Sequence, residues 1–272
     1  CTQTTNIATS LNNDIGSLKA LLVSRGSEYG TYDFMSEENY SRVEDNVVME
    51  TQAEISYLAR NIMMAMNDIF CPNTTYTAAD GTTYTVLDTA NCSVGTDGSL
   101  PPHELFAREG YDRYTQMEID GKQFYIYNDE TKANNSSWYK LGNVSVNPKL
   151  AAQVTLMPSY KQDGSANYAD QITKAWSAEN LYINPKDTSK CNFEGYYDKI
   201  ISHLGTNGSI YKASSDTMTS TAAAIDNQRN QIMGVSSDEE LTNMIKYQSA
   251  YNASSRFITV ISQMTELIVQ LI

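Results

Sequence analysis

From Val235 to Ile272 the chain contains neither glycine nor proline, and this run limits the fold more than any other stretch. Gly234-Val235-Ser236 forms a turn-like entrance, followed by Ser237 and the acidic triplet Asp238-Glu239-Glu240. Ser236 with Glu239, and Ser237 with Glu240, have the spacing of two overlapping capping boxes. In each, the hydroxyl accepts from a free backbone N–H and the glutamate reaches back to the cap residue. The triplet also sets negative charge on the positive end of the helix dipole. Apolar residues then recur at helical spacing: Leu241, Met244, Tyr247, Tyr251, Ile258, Ile261 and Ile268. A second stripe, Phe257, Val260, Met264, Leu267 and Leu271, alternates steps of three and four. The two together predict a long helix whose apolar face is broader than a lone surface helix needs, so it requires a partner.

A length of 272 residues allows one large domain or two to three small ones, with ample chain for a core. The net charge of −13 argues against non-specific nucleic-acid binding. No apolar run reaches the ~20 residues of a membrane span, since Gln263, Glu266 and Gln270 interrupt the last one. The 19 tyrosines, with many Ser, Thr and Asn, suit an exposed β-rich surface. Cys1, Cys71, Cys92 and Cys191 form no Cys-x-x-Cys pair, which speaks against a structural zinc site. Cys71 and Cys92 flank one hairpin; free buried thiols are the expected state, a disulfide the alternative.

Taken in order, Asn6 to Arg25 reads as a short strand or turn and then a helix. Ser36, with Glu37 and Glu38 behind it, reads as the N-cap of an amphipathic helix reaching Phe70. Its apolar positions are Val43, Val47, Ile55, Leu58, Ile62, Met63, Met66 and Ile69, and its length would be roughly 50 Å. From Cys71 to Asn147 the pattern is that of strands. Asp80-Gly81 and Asp120-Gly121 each sit between β-forming runs, a hairpin signal. Trp138-Tyr139 read as core or rim of this part. Three more helices follow: Tyr168 to Trp176; Phe193 to Leu204, closed by Gly205; and Ile210 to Met233, polar and rich in Ala, Ser and Thr, a flank for an antiparallel bundle with 36–70.

Catalytic readings fail on their own residue requirements. His103-Glu104 could open a zinc-peptidase helix, but Ala107 stands where the second histidine is needed. His203 is far away in sequence, and a Cys191–His203 pair has nothing to order it. No Gly-x-Ser-x-Gly elbow or phosphate-cradling glycine loop is present. The expectation is no enzyme, no cofactor and no metal.

Gly234-Val235-Ser236, Asp238-Glu239-Glu240, Asn243-Met244-Ile245, Tyr247-Gln248 and Ala250-Tyr251 resemble, without a gap, the C-terminal signature of the bacterial flagellar axial proteins. The resemblance is strongest to their hook-associated members at the hook–filament junction. Gly16-Ser17-Leu18 with Leu21-Leu22 and Arg25, Ala59-Arg60-Asn61, Val144 to Pro148, and Asn227-Gln228-Arg229 resemble further segments of that family. The resemblance implies an α+β subunit: an elongated bundle of long amphipathic helices with a small inserted β-rich domain. Its parts would be a first shaft segment (1–70), an outer β-rich insert (71–147), a return segment with the second shaft part (148–233) and a polymerisation helix (234–272). It implies assembly through Leu241, Met244, Ile245, Tyr251, Phe257, Ile258, Ile261, Met264, Leu267, Ile268 and Leu271, on the family motif that also holds Gln248. Implied partners are hook protein, a second junction protein, neighbouring copies and an export chaperone on the C-terminal helix, with no nucleic acid and no membrane. The implied location is the extracellular flagellum, reached through the flagellar secretion system, in keeping with the lack of a charged-then-apolar leader. Two alternatives stand beside this: another axial protein, hook- or filament-like, or a secreted surface adhesin whose β insert binds a partner.

Overall fold

The computed structural model describes residues 16–161, 168–234 and 236–270. Cys1 and the strand or turn expected after Asn6 lie outside the described residues, as do Val235 and Leu271. The architecture is α+β. Helix α1 (Ser17–Arg25) leads through two short 3-10 turns to α2 (Val47–Phe70). Six strands follow: β1 (Asn73–Thr77), β2 (Thr83–Leu87), β3 (Ser93–Val94), β4 (Phe106–Arg108), β5 (Tyr114–Ile119) and β6 (Lys122–Tyr127). Next come β7 (Val144–Val146), α3 (Pro148–Ala152), β8 (Tyr160–Lys161) and α4 (Tyr168–Ser177). Two long helices end the chain, α5 (Phe193–Met233) and α6 (Ser237–Gln270). The chain divides into two compact units, with the division between Gly208 and Ser209.

Helix α2 begins at Val47 rather than at Ser36. Asn46 leaves the helical region (φ −118°, ψ 86°), and the Ser36 hydroxyl donates back to the Asp33 carbonyl instead of capping a helix. The reason is packing. Phe34, Met35, Tyr40 and Val43, on the two 3-10 turns and just after them, fold over Met49 and Ala53 to make a small core. A helix continuing to Ser36 would carry these side chains away from that core. The buried side of α2 is also not the expected apolar stripe: Ile55 is 43% exposed, whereas Glu50, Glu54, Ser56 and Asn67 are buried. Gly30 explains the approach of the preceding loop, because a Cβ there would lie 2.0 Å from the Met49 carbonyl oxygen. Its N–H donates to Gln52 Oε1 on α2.

Both Asp-Gly signals are turns in antiparallel hairpins. β1 pairs with β2 in the register Thr77↔Thr83, with Gly81 at φ 86°. β5 pairs with β6 through Asp120 (φ 50°) and Gly121 (φ 72°), the left-handed pair a two-residue hairpin requires. The strands join as β1-β2-β6-β5. Two small ladders, β3 with β8 and β4 with β7, pin the later chain to this part. Asn147 makes the return abrupt: its side chain accepts from Lys149 N–H as an N-cap, and Pro148 follows at the first helical position.

A buried polar seam locks the end of α2 to the strands. Asn67 is fully buried and bonds the Phe106 backbone on both sides, donating to its carbonyl and accepting from its N–H. It also donates to Glu104 Oε2, which accepts from the hydroxyl of buried Tyr139 at 2.6 Å. Burial pushes the Glu104 carboxyl above its usual range, against the lowering pull of Tyr139 and Arg113. Arg113 pairs with Asp68 and donates to Tyr139; Arg108 donates to the Ser137 and Asn128 carbonyls. Tyr139 is therefore core and Trp138 rim, half-buried against Tyr32. Cys71, Cys92 and Cys191 are buried thiols; burial raises the Cys71 thiol to about 12, which suppresses thiolate chemistry.

The start of α5 closes the first unit. Phe193, Tyr196 and Ile200 join Leu181, Ile183 and Cys191 in a core against Tyr57, Leu58, Ile62 and Ala65 of α2. Helices expected at Phe193–Leu204 and Ile210–Met233 are one helix, which passes through Gly205 and Gly208. Neither glycine has the positive φ of a helix-ending cap. One glycine costs a helix only about 1 kcal/mol relative to alanine, too little to stop one with strong flanks.

Two consequences are measurable. Gly30→Ala lowers stability by about 3 kcal/mol in urea denaturation, because backbone atoms block the added Cβ, whereas Gly205→Ala, which meets nothing within 4 Å, is neutral or stabilising. Asp187 has its carboxyl held down to about 2 by Lys199 and Ser189. A depressed folded-state value gives stability that is complete above about pH 4 and is lost as pH falls through about 2. Asp187→Asn therefore lowers the melting temperature at pH 7, and the gap to wild type shrinks steadily in melts taken towards pH 2.

Candidate assembly interface

Residues Ser209 to Met233 of α5, with α6, make up the described helices of the second unit, and every described residue in it is exposed. Gly234 ends α5: its N–H donates to Asn230 O at 2.7 Å, and a Cβ would fall 2.2 Å from that oxygen. Ser236 then caps α6, its Oγ accepting from Glu239 N–H and its carbonyl from Glu240 N–H. This is the half of the first expected capping box in which the serine hydroxyl accepts. The second is not formed as expected, because Ser237 is already the first residue of α6. Asp238, Glu239 and Glu240 occupy its first turn, where the helix dipole favours them.

Gln248 and Tyr251, expected from the sequence to belong to a family motif, sit on the exposed body of α6, Tyr251 at 75% exposure. Leu241, Met244, Ile245, Phe257, Ile258, Ile261, Met264, Leu267 and Ile268 are all exposed as well. At about 100° per residue, Ile258, Ile261 and Ile268 with Phe257, Val260, Met264 and Leu267 cover roughly half of the helix circumference. Charges are sparse here: after the first turn, Lys246, Arg256 and Glu266 are the charged residues up to Gln270. Threonine hydroxyls on both helices are absorbed locally, as where Thr217, Thr259 and Thr265 donate to carbonyls one turn back.

One stripe was not read in the sequence. Tyr211, Met218, Ile225 and Ile232 recur every seventh residue along α5, all exposed. Their isolation among Ala, Ser, Thr and Asn hides them from a hydrophobicity average; only the fixed period reveals them. The chemistry this unit offers is that of an apolar surface.

No helix among the described residues is long and apolar enough to cross a membrane. Residues 226–271 match the family model described as flagellar basal body rod FlgEFG protein C-terminal. That match and the relative below support one class, the flagellar axial proteins. The relative is flagellar hook-associated protein 1 of Bacillus subtilis (strain 168), 33% identical over 114 residues. The alignment takes in 41% of this chain and 22% of the relative, so the chain matches about a fifth of that protein's length.

Isolated helices whose apolar residues all face solvent hold together only weakly. In hydrogen exchange on a dilute sample, amides of α6 exchange orders of magnitude faster than those of α2. Their protection rises with protein concentration; α6 protection equal to that of α2 in a dilute monomer would contradict this.

Proposed function

We propose that this chain is a structural subunit of the bacterial flagellum at the hook–filament junction and that it assembles through α6. The single observation that carries the reading is the exposed apolar half of α6, lying within the segment that matches the axial-protein family model. Each Å² of that surface buried against a neighbour contributes about 25 cal/mol, and the sparse charge makes the contact insensitive to salt. The contact surface is Leu241, Met244, Ile245, Tyr251, Phe257, Ile258, Ile261, Met264, Leu267 and Ile268, and the sequence pattern continues it to Leu271. Contacts between unlike surfaces of successive subunits build an open helical array rather than a closed ring. Hook protein, a second junction protein and neighbouring copies are the partners, outside the cell, and an export chaperone holds α6 before assembly. The chain acts by contact, without catalysis.

The test is co-sedimentation of the chain with purified hook. Ile261→Glu, and separately a chain ending at Gly234, reduce the pelleted fraction at least about tenfold, since an unpaired carboxylate in a desolvated contact costs more than 1.4 kcal/mol. If both variants pellet like wild type while changes within 71–147 abolish pelleting, the working surface is the β-rich part and the reading fails.

A further inference from the structure

Helix α2 buries two carboxylates one turn apart. Glu50 and Glu54 are 4% and 1% exposed, in a part of the fold otherwise lined by Val43, Met49 and Ala53. Among the described residues neither is ion-paired with a lysine or arginine, and Lys186 pairs with Glu44 instead. Glu54 Oε1 faces His203 Nδ1 at 3.1 Å, from the third turn of α5. One ligand atom from each of Glu50, Glu54 and His203 can be chosen so that all lie within 4.8 Å of one another. Glu50 is held from behind, its Oε1 accepting from the Tyr40 hydroxyl at 2.6 Å. The hydrogen bonds of the pair use one oxygen of each carboxylate, Glu50 Oε1 with Tyr40 and Glu54 Oε1 with His203.

We propose that Glu50, Glu54 and His203 bind a divalent first-row transition-metal ion that clamps the start of α5 to α2. Two carboxylates and one neutral imidazole carry two negative charges, which such an ion balances, and the mixed nitrogen and oxygen set suits zinc-like ions rather than calcium or magnesium. Metal–ligand bonds of ~2.0–2.2 Å place ligand atoms roughly 3.3 Å apart, so the Glu54–His203 pair is already spaced for a shared ion. Glu50 closes in by a side-chain rotation, steadied by Tyr40 in the way that outer hydrogen bonds orient metal-bound carboxylates. His203, about one-third exposed, is the entry side. Three protein ligands leave a fourth position for water, and the ion's role is structural, tying together helices that meet at the Tyr196–Ile200 core.

Zinc chloride titrated calorimetrically into the full chain at pH 7.5 binds at one equivalent and raises the melting temperature of the first unit, and a chelator reverses the shift. Glu54→Gln and His203→Gln each weaken binding more than about 100-fold, and Tyr40→Phe weakens it about tenfold. Glu54→Gln folds, because it removes a buried charge, so its apo form melts no lower than wild type while no longer responding to zinc. Cobalt substituted for zinc gives visible bands without the sulfur charge-transfer absorption that cysteine ligands would add. The proposal is overturned if wild type shows no zinc-dependent shift, if either glutamine variant keeps it, or if the cobalt spectrum shows thiolate ligation. A zinc-insensitive wild type with a stabilised Glu54→Gln would mean that a proton alone neutralises the pair.

Discussion

Helix α2 contributes to every buried cluster of the first unit, and the remaining elements are placed by what they cover on it. Met49 and Ala53 meet the 3-10 turns, Tyr57, Leu58, Ile62 and Ala65 meet the start of α5, and Phe70 meets the strands. One 24-residue helix thus serves three cores in succession along its length. No single apolar stripe could do this, because the three covering elements approach from different sides. Polar residues fill the positions where one cover gives way to the next. Asn67 satisfies a strand backbone, and Glu50 and Glu54 meet a tyrosine and a histidine. Buried polar groups of this kind add little net stability, but they penalise any shifted register of α2 heavily, since each would lose its partner.

The second unit inverts this distribution. There the apolar side chains stand outside and no described residue is buried. A helix needs tertiary burial to be stable in water, because nucleation is costly and propensity alone is marginal. The first unit supplies its own burial from within the chain. The described residues supply no such burial for α6, and its caps at Gly234 and Ser236 fix where the helix starts.

What the sequence made legible follows from the range of the interactions involved. The Asp-Gly turns, the Ser236 cap, the Asn147-Pro148 return and the run of α6 are each decided by residues within a few positions, and all are visible in the string. The false start of α2 at Ser36 and the false stop at Gly205 are local signals overruled by packing. Phe34 and Tyr40 are worth more folded over Met49 than extended on a helix, and Gly205 lies in a helix already held through Tyr196 and Ile200. The Glu50–Glu54–His203 cluster was out of reach, because its histidine lies 149 residues from Glu54. Its trace in the sequence is a pair of glutamates four apart on the side of a helix that also carries Met49 and Ala53, a like-charge spacing that disfavours a solvent-exposed helix and calls for a reason.

The fold therefore separates two demands that conflict in one helix. A helix that fixes its own unit must present different chemistry along its length, as α2 does, and so cannot also offer a uniform surface for repeated contacts. A helix that packs identically in every copy of an array needs the opposite: one apolar face, few charges and no interior commitments. Helix α6 meets that need with Ile, Leu, Met and Phe over about half its circumference and Lys246, Arg256 and Glu266 as its charges beyond the first turn. Placing the two demands on separate helices lets the proposed assembly surface stay uniform while α2 keeps a single register. On the proposed reading, a charge introduced at Ile261 would disturb contacts between molecules, whereas one introduced at Ala53, buried against Phe34 and Met49, would disturb the fold itself.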